Sequence, residues 1–167
     1  MAAGSTYTPI ATQTLASAAY TVTFSSIPST YTDLVLVINA ATTANTKNPV
    51  FRYNSDTGTN YSSTELYGDG SSVGSVRQTS VNAIYGGAVG ISGGNESIII
   101  CNIQNYANTT AYKTALIKTS AKFNSIDVVV GVWRNTAAIN SIDILTLSSG
   151  QNWSIGSTFT LYGIAAA

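Results

Sequence analysis

The sequence predicts an all-β protein, built as a two-sheet β-sandwich of the jelly-roll type. Short segments in which apolar and polar residues alternate recur along the chain. Clusters of Gly, Ser, Asn and Asp separate them, at roughly the 8–12-residue spacing typical of sandwiches. No segment carries a sustained helical stripe, and the abundance of Thr, Ser, Val and Ile disfavours helix. Since no linker or shift of composition divides the 167 residues, a single domain spanning residues 1–167 is expected.

The first half of the chain contains the clearest strand signals. Residues 1–9 are expected to form a flexible N-terminal arm. Residues 20–24 alternate as a half-buried strand, which Pro28 helps to end because proline lacks an N–H and restrains the residue before it. Residues 34–38 are apolar on both faces, which predicts a central strand covered on both sides. Two further strands are predicted around residues 50–53 and 66–67.

The second half begins with a stretch rich in Ser and Gly, residues 70–95, which we expect to be flexible and free to order on a partner. Strand-like runs follow it, and about ten strands are expected in the whole chain. In the run 126–133, Trp133 lies on one face of the strand and Val128 and Val130 lie on the other. Since both faces are apolar, this strand too is predicted to be covered on both sides. The runs are residues 97–103, 112–119, 126–133, 139–147 and 159–164.

The composition argues against catalysis. The chain has no histidine and one cysteine, and 8% of its residues are charged, against about 25% in typical domains. Catalytic sites that pair Ser or Cys with His are therefore excluded. Cys101 lies in an apolar run and is predicted to be a small buried hydrophobe. No phosphate-binding loop, dinucleotide fingerprint or zinc ligand set occurs, so we expect neither enzyme activity nor a cofactor.

The carboxylates suit structural roles better than acid–base catalysis. Most of the seven acidic residues stand in turns or at strand ends, where they are expected to cap backbone N–H groups. Asp127 and Asp143 occur in similar Ser-Ile-Asp contexts and are expected on the solvent faces of neighbouring strands. Residues 54–60 place oxygen-bearing side chains at alternate positions, as a calcium loop does, but lack its final bidentate Glu. A tight turn and no bound metal are predicted there.

The charge pattern also limits the partners. Seven basic residues are scattered and are balanced by seven acidic ones, so no basic patch for nucleic acid is expected. The sequence starts without a signal-peptide pattern and has no apolar run of about 20 residues, so we expect a protein made in a cytoplasm and not held in a membrane. A net charge near zero gives weak self-repulsion, which favours association. Trp133 and Trp153 are expected to pack, with sugar stacking as the alternative.

Four motifs resemble those of a known protein group. Residues 24–36 have the sequence FSSIPSTYTDLVL and residues 52–70 have RYNSDTGTNYSSTELYGDG. Near the end, residues 133–139 have WRNTAAI and residues 157–164 have STFTLYGI. Together they resemble small virion structural proteins of tailed bacteriophages, common in viruses of cyanobacteria and other aquatic bacteria. The resemblance covers most of the chain except the Ser/Gly-rich middle.

This resemblance implies a jelly-roll component of a phage head, tail or fibre, assembled in the host cytoplasm and carried in the virion. The first hypothesis is a non-enzymatic capsid decoration (cement) protein that stabilises the head shell. Its partners would be capsid or tail proteins and copies of itself, with a homotrimer implied by the group. The alternative is a tail or fibre module that recognises a host glycan. The candidate interface residues are Thr6, Tyr7, Thr8 and Pro9 of the arm, with Tyr85 and Trp153.

Overall fold

Strands are the only regular secondary structure in the described part of the chain. The computed structural model describes residues 6–44, 49–87, 96–121, 125–147 and 150–165. Those ranges contain twelve strands and no helix. The strands are β1 Tyr7–Thr14, β2 Thr21–Phe24, β3 Asp33–Ala40, β4 Pro49–Tyr53, β5 Tyr61–Gly68, β6 Val73–Val81, β7 Ile84–Tyr85, β8 Ser97–Gln104, β9 Lys113–Ala121, β10 Ser125–Trp133, β11 Ile142–Thr146 and β12 Thr158–Ile164.

Two antiparallel sheets form the sandwich. The larger has eight strands in the order β1-β12-β3-β8-β9-β10-β5-β6, and the smaller has four in the order β2-β11-β4-β7. This confirms the predicted all-β, two-sheet β-sandwich. The jelly-roll connectivity is a finer statement and stays a prediction.

The core lies between the sheets because alternate residues of each strand point inward. In β3 the inward side chains Leu34, Leu36 and Ile38 are completely buried, and they belong to one apolar cluster with Phe51 and Ile144 of the smaller sheet. On the other face of β3, Val35 is buried and Val37 is half-buried. The prediction of a central strand is therefore confirmed for β3, which pairs with β12 and β8, but its second face is covered only in part, since Val37 is half-buried.

Two segments expected to be flexible contain strands. Residues 7–9, assigned to the arm, lie in β1 and pair with β12. Residues 73–81 of the Ser/Gly-rich stretch form β6, which pairs with β5 at the other edge of the larger sheet. An edge strand with most side chains in solvent needs few apolar residues, so its composition resembles that of a loop. β7, Ile84–Tyr85, also lies in the Ser/Gly-rich stretch. Residues 1–5 and 88–95 of the two segments lie outside the described residues.

The sheets approach closely where β10 crosses β7. A Cβ added to Gly131 of β10 would overlap the Ile84 side chain of β7. Glycine is therefore required at this position, because its missing side chain leaves the space that Ile84 fills. β7 of the smaller sheet therefore packs closely against β10 of the larger one.

Candidate interface on the eight-stranded sheet

The predicted arm residues lie at one edge of the larger sheet. Thr6 and Tyr7 are exposed, Thr8 is half-buried and Pro9 is exposed. The Tyr7 ring packs edge-on against Tyr162 of β12, with ring centroids 6.1 Å apart. These residues present a tyrosine-bearing strand edge in place of a free arm.

The other two predicted interface residues lie elsewhere. Tyr85 is half-buried at the edge of the smaller sheet, where it packs against a small cluster that includes Val50 and Ala83. Trp153 is completely buried; its ring packs edge-on against Phe159 at 5.4 Å. Placing Trp153 at an interface was therefore wrong, because its ring fills the core. The structure brings the six predicted residues to three separate places and not to one site.

Neither tryptophan is placed to stack on a sugar. Trp133 is also buried, and its ring stacks on Tyr61 at 6.2 Å and meets Tyr53 edge-on at 5.7 Å. The packing role expected for both tryptophans is what the structure shows.

The turn that partly matches a calcium loop is held by its own hydrogen bonds. The Asp56 carboxylate accepts hydrogen bonds from the Gly58 N–H at 2.8 Å, from Asn60 Nδ2 at 2.8 Å and from Trp133 Nε1 at 2.7 Å. Desolvation raises the pKa of Asp56, but these hydrogen bonds outweigh it and hold the pKa below its ordinary value. The carboxylate ties the turn to the aromatic core. Within the described ranges no group of three or more His, Cys, Asp or Glu side chains could hold a metal ion.

The two aspartates expected on neighbouring strands are far apart in the fold. Asp127 is completely buried on β10 of the larger sheet, and a Cβ on Gly87 would overlap its carboxylate. Asp143 lies on β11 of the smaller sheet and accepts hydrogen bonds from Thr23 Oγ1 at 2.8 Å and Ser55 Oγ at 3.0 Å. The expectation of adjacent solvent faces was wrong, because the two strands belong to different sheets.

The lone thiol is chemically quiet. Cys101 is completely buried in β8, as predicted. Burial raises the pKa of the Cys101 thiol to about 12, so the nucleophilic thiolate is almost absent near neutral pH.

The outer face of the larger sheet carries a group of exposed apolar side chains. Antiparallel register aligns apolar side chains of β8, β9, β10, β5 and β6 across it. Val73 is 90% exposed, Leu66 63% and Val130 50%, far more than is usual for aliphatic side chains. We name this surface the apolar patch; it consists of Leu66, Val73, Ile98, Ile100, Leu116, Ile126, Val128 and Val130.

The patch contains a shallow depression. Its volume is about 540 Å³, and it is lined by Ile126 and Val128 of β10 and by Val73 and Ser75 of β6. Gly68 helps to line the depression. Since glycine has no side chain, nothing fills the space above the sheet at this position. A smaller depression of about 170 Å³ lies on the other flank of β10, beside Lys118. Two basic residues lie in the same rows as the patch: Lys118 pairs with Val128, and Arg77 of β6 pairs with Thr64 beside Val130.

This patch was not predicted from the sequence, although its signal is present in the chain. The run of β10 is apolar at both alternating positions, which was interpreted as coverage on both sides. Within this chain that interpretation was wrong, since Val130 is half exposed. A strand that is apolar on both faces indicates burial on both faces, and the second cover can come from another molecule.

Comparison of the chain with protein-family models, with curated proteins and with solved structures finds no match. The likeness to phage virion proteins therefore rests on the motifs alone. Among the described residues no helix is long and apolar enough to cross a membrane.

Proposed function

We propose that this protein is a non-enzymatic structural component of a phage virion, and that it decorates and stabilises the head shell. The observation that supports an assembly role is the apolar patch. Monomeric proteins rarely expose contiguous apolar surface beyond a few hundred Å², and larger patches mark sites of association. The phage assignment and the location on the shell come from the motif resemblance.

The chemistry of the described residues agrees with a role in packing. Three side chains that the sequence raised as reactive have structural places: Asp56 caps a turn, Asp143 accepts a hydrogen bond from Thr23 of the neighbouring strand, and Cys101 fills the core. The glycan-binding alternative loses its best aromatic platforms, because both tryptophans are buried.

The test is binding to purified heads that lack this protein. We expect the added protein to label the shell in electron micrographs and to raise the temperature at which the heads disrupt, since a ligand that binds only the intact shell stabilises it. Occupancy should change little between about 0.1 M and about 1 M NaCl, because salt screens charge pairs and leaves apolar packing intact. Labelling confined to tails, or no labelling, would overturn the assignment.

A further inference from the structure

We propose that one corner of the larger sheet, where β1, β12, β3 and β8 lie side by side, is a binding site for a neutral sugar ring. This inference goes beyond the proposed function, because it gives the protein a small ligand. A depression of about 200 Å³ lies at this corner. Drug-sized ligands occupy about 300–1,000 Å³, so this depression suits a single ring. Its lining includes Tyr7, Asp33, Val35, Asn102, Gln104 and Ile164.

The antiparallel register brings the lining side chains together. Tyr7 of β1 and Asp33 of β3 both pair with Ile164 of β12, so Ile164 lies between them as an apolar floor. Because neighbouring strands are about 4.8 Å apart, Tyr7 and Asp33 are separated by about 10 Å across this floor. Asn102 and Gln104 follow on β8, which pairs with β3. The ring of a ligand can therefore lie between the tyrosine and three polar side chains.

The polar side chains of the depression match the hydroxyl groups of a sugar. A hydroxyl both donates and accepts hydrogen bonds, and so do the side-chain amides of Asn102 and Gln104. Gln104 is exposed and Asn102 is half-buried, so a ligand can reach both amides. The Asn105 N–H donates to Oδ1 of Asp33 at 2.6 Å, which holds the carboxylate in place. Its second oxygen can accept a hydrogen bond from a ligand hydroxyl.

Tyr7 supplies the apolar half of the contact. The side chain of Tyr7 is 56% exposed, and its ring is held by edge-on packing against Tyr162, with the ring centroids 6.1 Å apart. The face of an aromatic ring is electron-rich, so it attracts the C–H groups that line one side of a sugar ring. A sugar that packs on Tyr7 in this way directs its hydroxyl groups outward, where the polar side chains of β3 and β8 can bind them.

The charge of the site selects a neutral ligand. Asp33 is the one charged side chain among the described residues that line the depression, so an anionic ligand would be repelled and would find no basic partner. An ammonium group would be attracted to Asp33, but it only donates hydrogen bonds. The N–H groups of Asn102 and Gln104 would then have no acceptor in the ligand. A neutral polyol uses all three polar side chains.

The experiment titrates the isotope-labelled full chain with D-glucose, D-galactose and D-mannose and follows its backbone amide signals by NMR. We expect at least one of the three sugars to bind with a dissociation constant of about 1–10 mM, because a ligand of this size makes few contacts. The signals that change should be those at the start of β1 and β3 and at the end of β12 and β8. The uronic acid of the same sugar should bind at least about 10-fold more weakly, because its carboxylate lies beside Asp33.

Substitutions separate the aromatic contact from the polar ones. Tyr7→Ala should raise the dissociation constant about 10-fold, whereas Tyr7→Phe keeps the ring and should bind as wild type does. Gln104→Ala removes one hydrogen-bonding group and should raise the constant about 3–10-fold; since Gln104 is exposed, the fold should persist. The matched control is Tyr112→Ala, because Tyr112 is a tyrosine of similar exposure, 58%, outside the depression. All variants should keep the wild-type circular dichroism spectrum.

Three results would refute the sugar site: no signal change with any of the three sugars at about 50 mM, changes located away from these strand ends, or binding that survives both Tyr7→Ala and Gln104→Ala. Binding of tetramethylammonium without binding of any sugar would show a cation site and would also refute the proposal. These outcomes are separate from those for the proposed function. A protein that binds heads but no sugar defeats the sugar site alone, and one that binds sugar but ignores heads defeats the head assignment alone.

Discussion

At the scale of single residues, Asp56 stabilises more of the fold than its place in a surface turn suggests. It joins the turn at Gly58 to the indole of Trp133. Asp56→Ala would leave the Trp133 N–H buried without its acceptor, at a cost of about 1–3 kcal/mol. Urea unfolding at pH 7 measures this loss.

Asp56 also predicts a dependence on pH. Because its folded pKa is lowered, its contribution is complete above the unfolded pKa of about 4 and is lost as pH falls through the folded pKa. Asp69 serves as the control, since hydrogen bonds from Ser71 and Ser72 lower its pKa too but it has no tryptophan partner. In Asp56→Asn, the free energy of unfolding should fall less steeply as the pH is lowered. In Asp69→Asn, the share of that fall that comes from protonation of Asp56 should remain. An unchanged acid profile in Asp56→Asn would contradict this role.

Leu36 gives the second residue-scale prediction. It is completely buried in β3, so Leu36→Ala should cost about 2–5 kcal/mol through lost burial and the cavity left behind. Ile155→Ala, at an exposed site, should change the free energy of unfolding by less than about 0.5 kcal/mol. Similar losses in the two variants would mean that β3 is not central in solution.

At the scale of elements, the crossing of β10 over β7 depends on Gly131. Gly131→Ala should destabilise the fold by about 1–3 kcal/mol, because the new methyl group collides with Ile84. Adding Ile84→Ala should return part of that loss, and the coupling in the double-mutant cycle measures the contact. Gly68→Ala is the control, since a Cβ at Gly68 would make only ordinary contacts. An equal loss of stability in Gly68→Ala would show that the collision with Ile84 is not the cause of the loss in Gly131→Ala.

The strands differed in how well the sequence predicted them. β3 and β10 consist mostly of β-branched and aliphatic residues, so their apolar runs show where these strands lie in the sequence. β1 and β6 lie at the two edges of the larger sheet, and edge strands are stabilised by backbone pairing more than by apolar side chains. Composition therefore could not distinguish them from loops.

At the scale of the whole molecule, stability should be independent of metals and of redox state. Chelator and reductant should each leave the melting temperature unchanged, because the carboxylates of the described turns are hydrogen-bonded internally and the lone Cys101 is buried. Cys101 should react with thiol reagents only at the rate of unfolding. Fast labelling of the native protein, or a large loss of stability in chelator, would contradict this picture.

The interface could be predicted from the sequence only in part. Low charge predicted association, which stays a prediction, but it did not indicate which surface would take part. The position of the patch depends on which outward residues of β5, β6, β8, β9 and β10 the register aligns, and strand order is not encoded in local periodicity. Trp153 was a candidate as a large aromatic residue, but ring size does not tell whether a side chain lies in the core or at the surface.

The position of the last strands in the sheets bears on how the chain is made. β12 lies between β1 and β3, and β11 lies between β2 and β4, so β1 and β2 cannot join their sheets until β12 and β11 have been synthesised. The strands made between them can pair earlier, since β8, β9 and β10 are neighbours both in the sequence and in the sheet. Because most contacts join residues far apart in the chain, closure is also expected to be slow, in milliseconds to seconds. Until β11 and β12 are made, the nascent chain would expose the unpaired edges of β3 and β4, and it should depend on chaperones in the cell during that time.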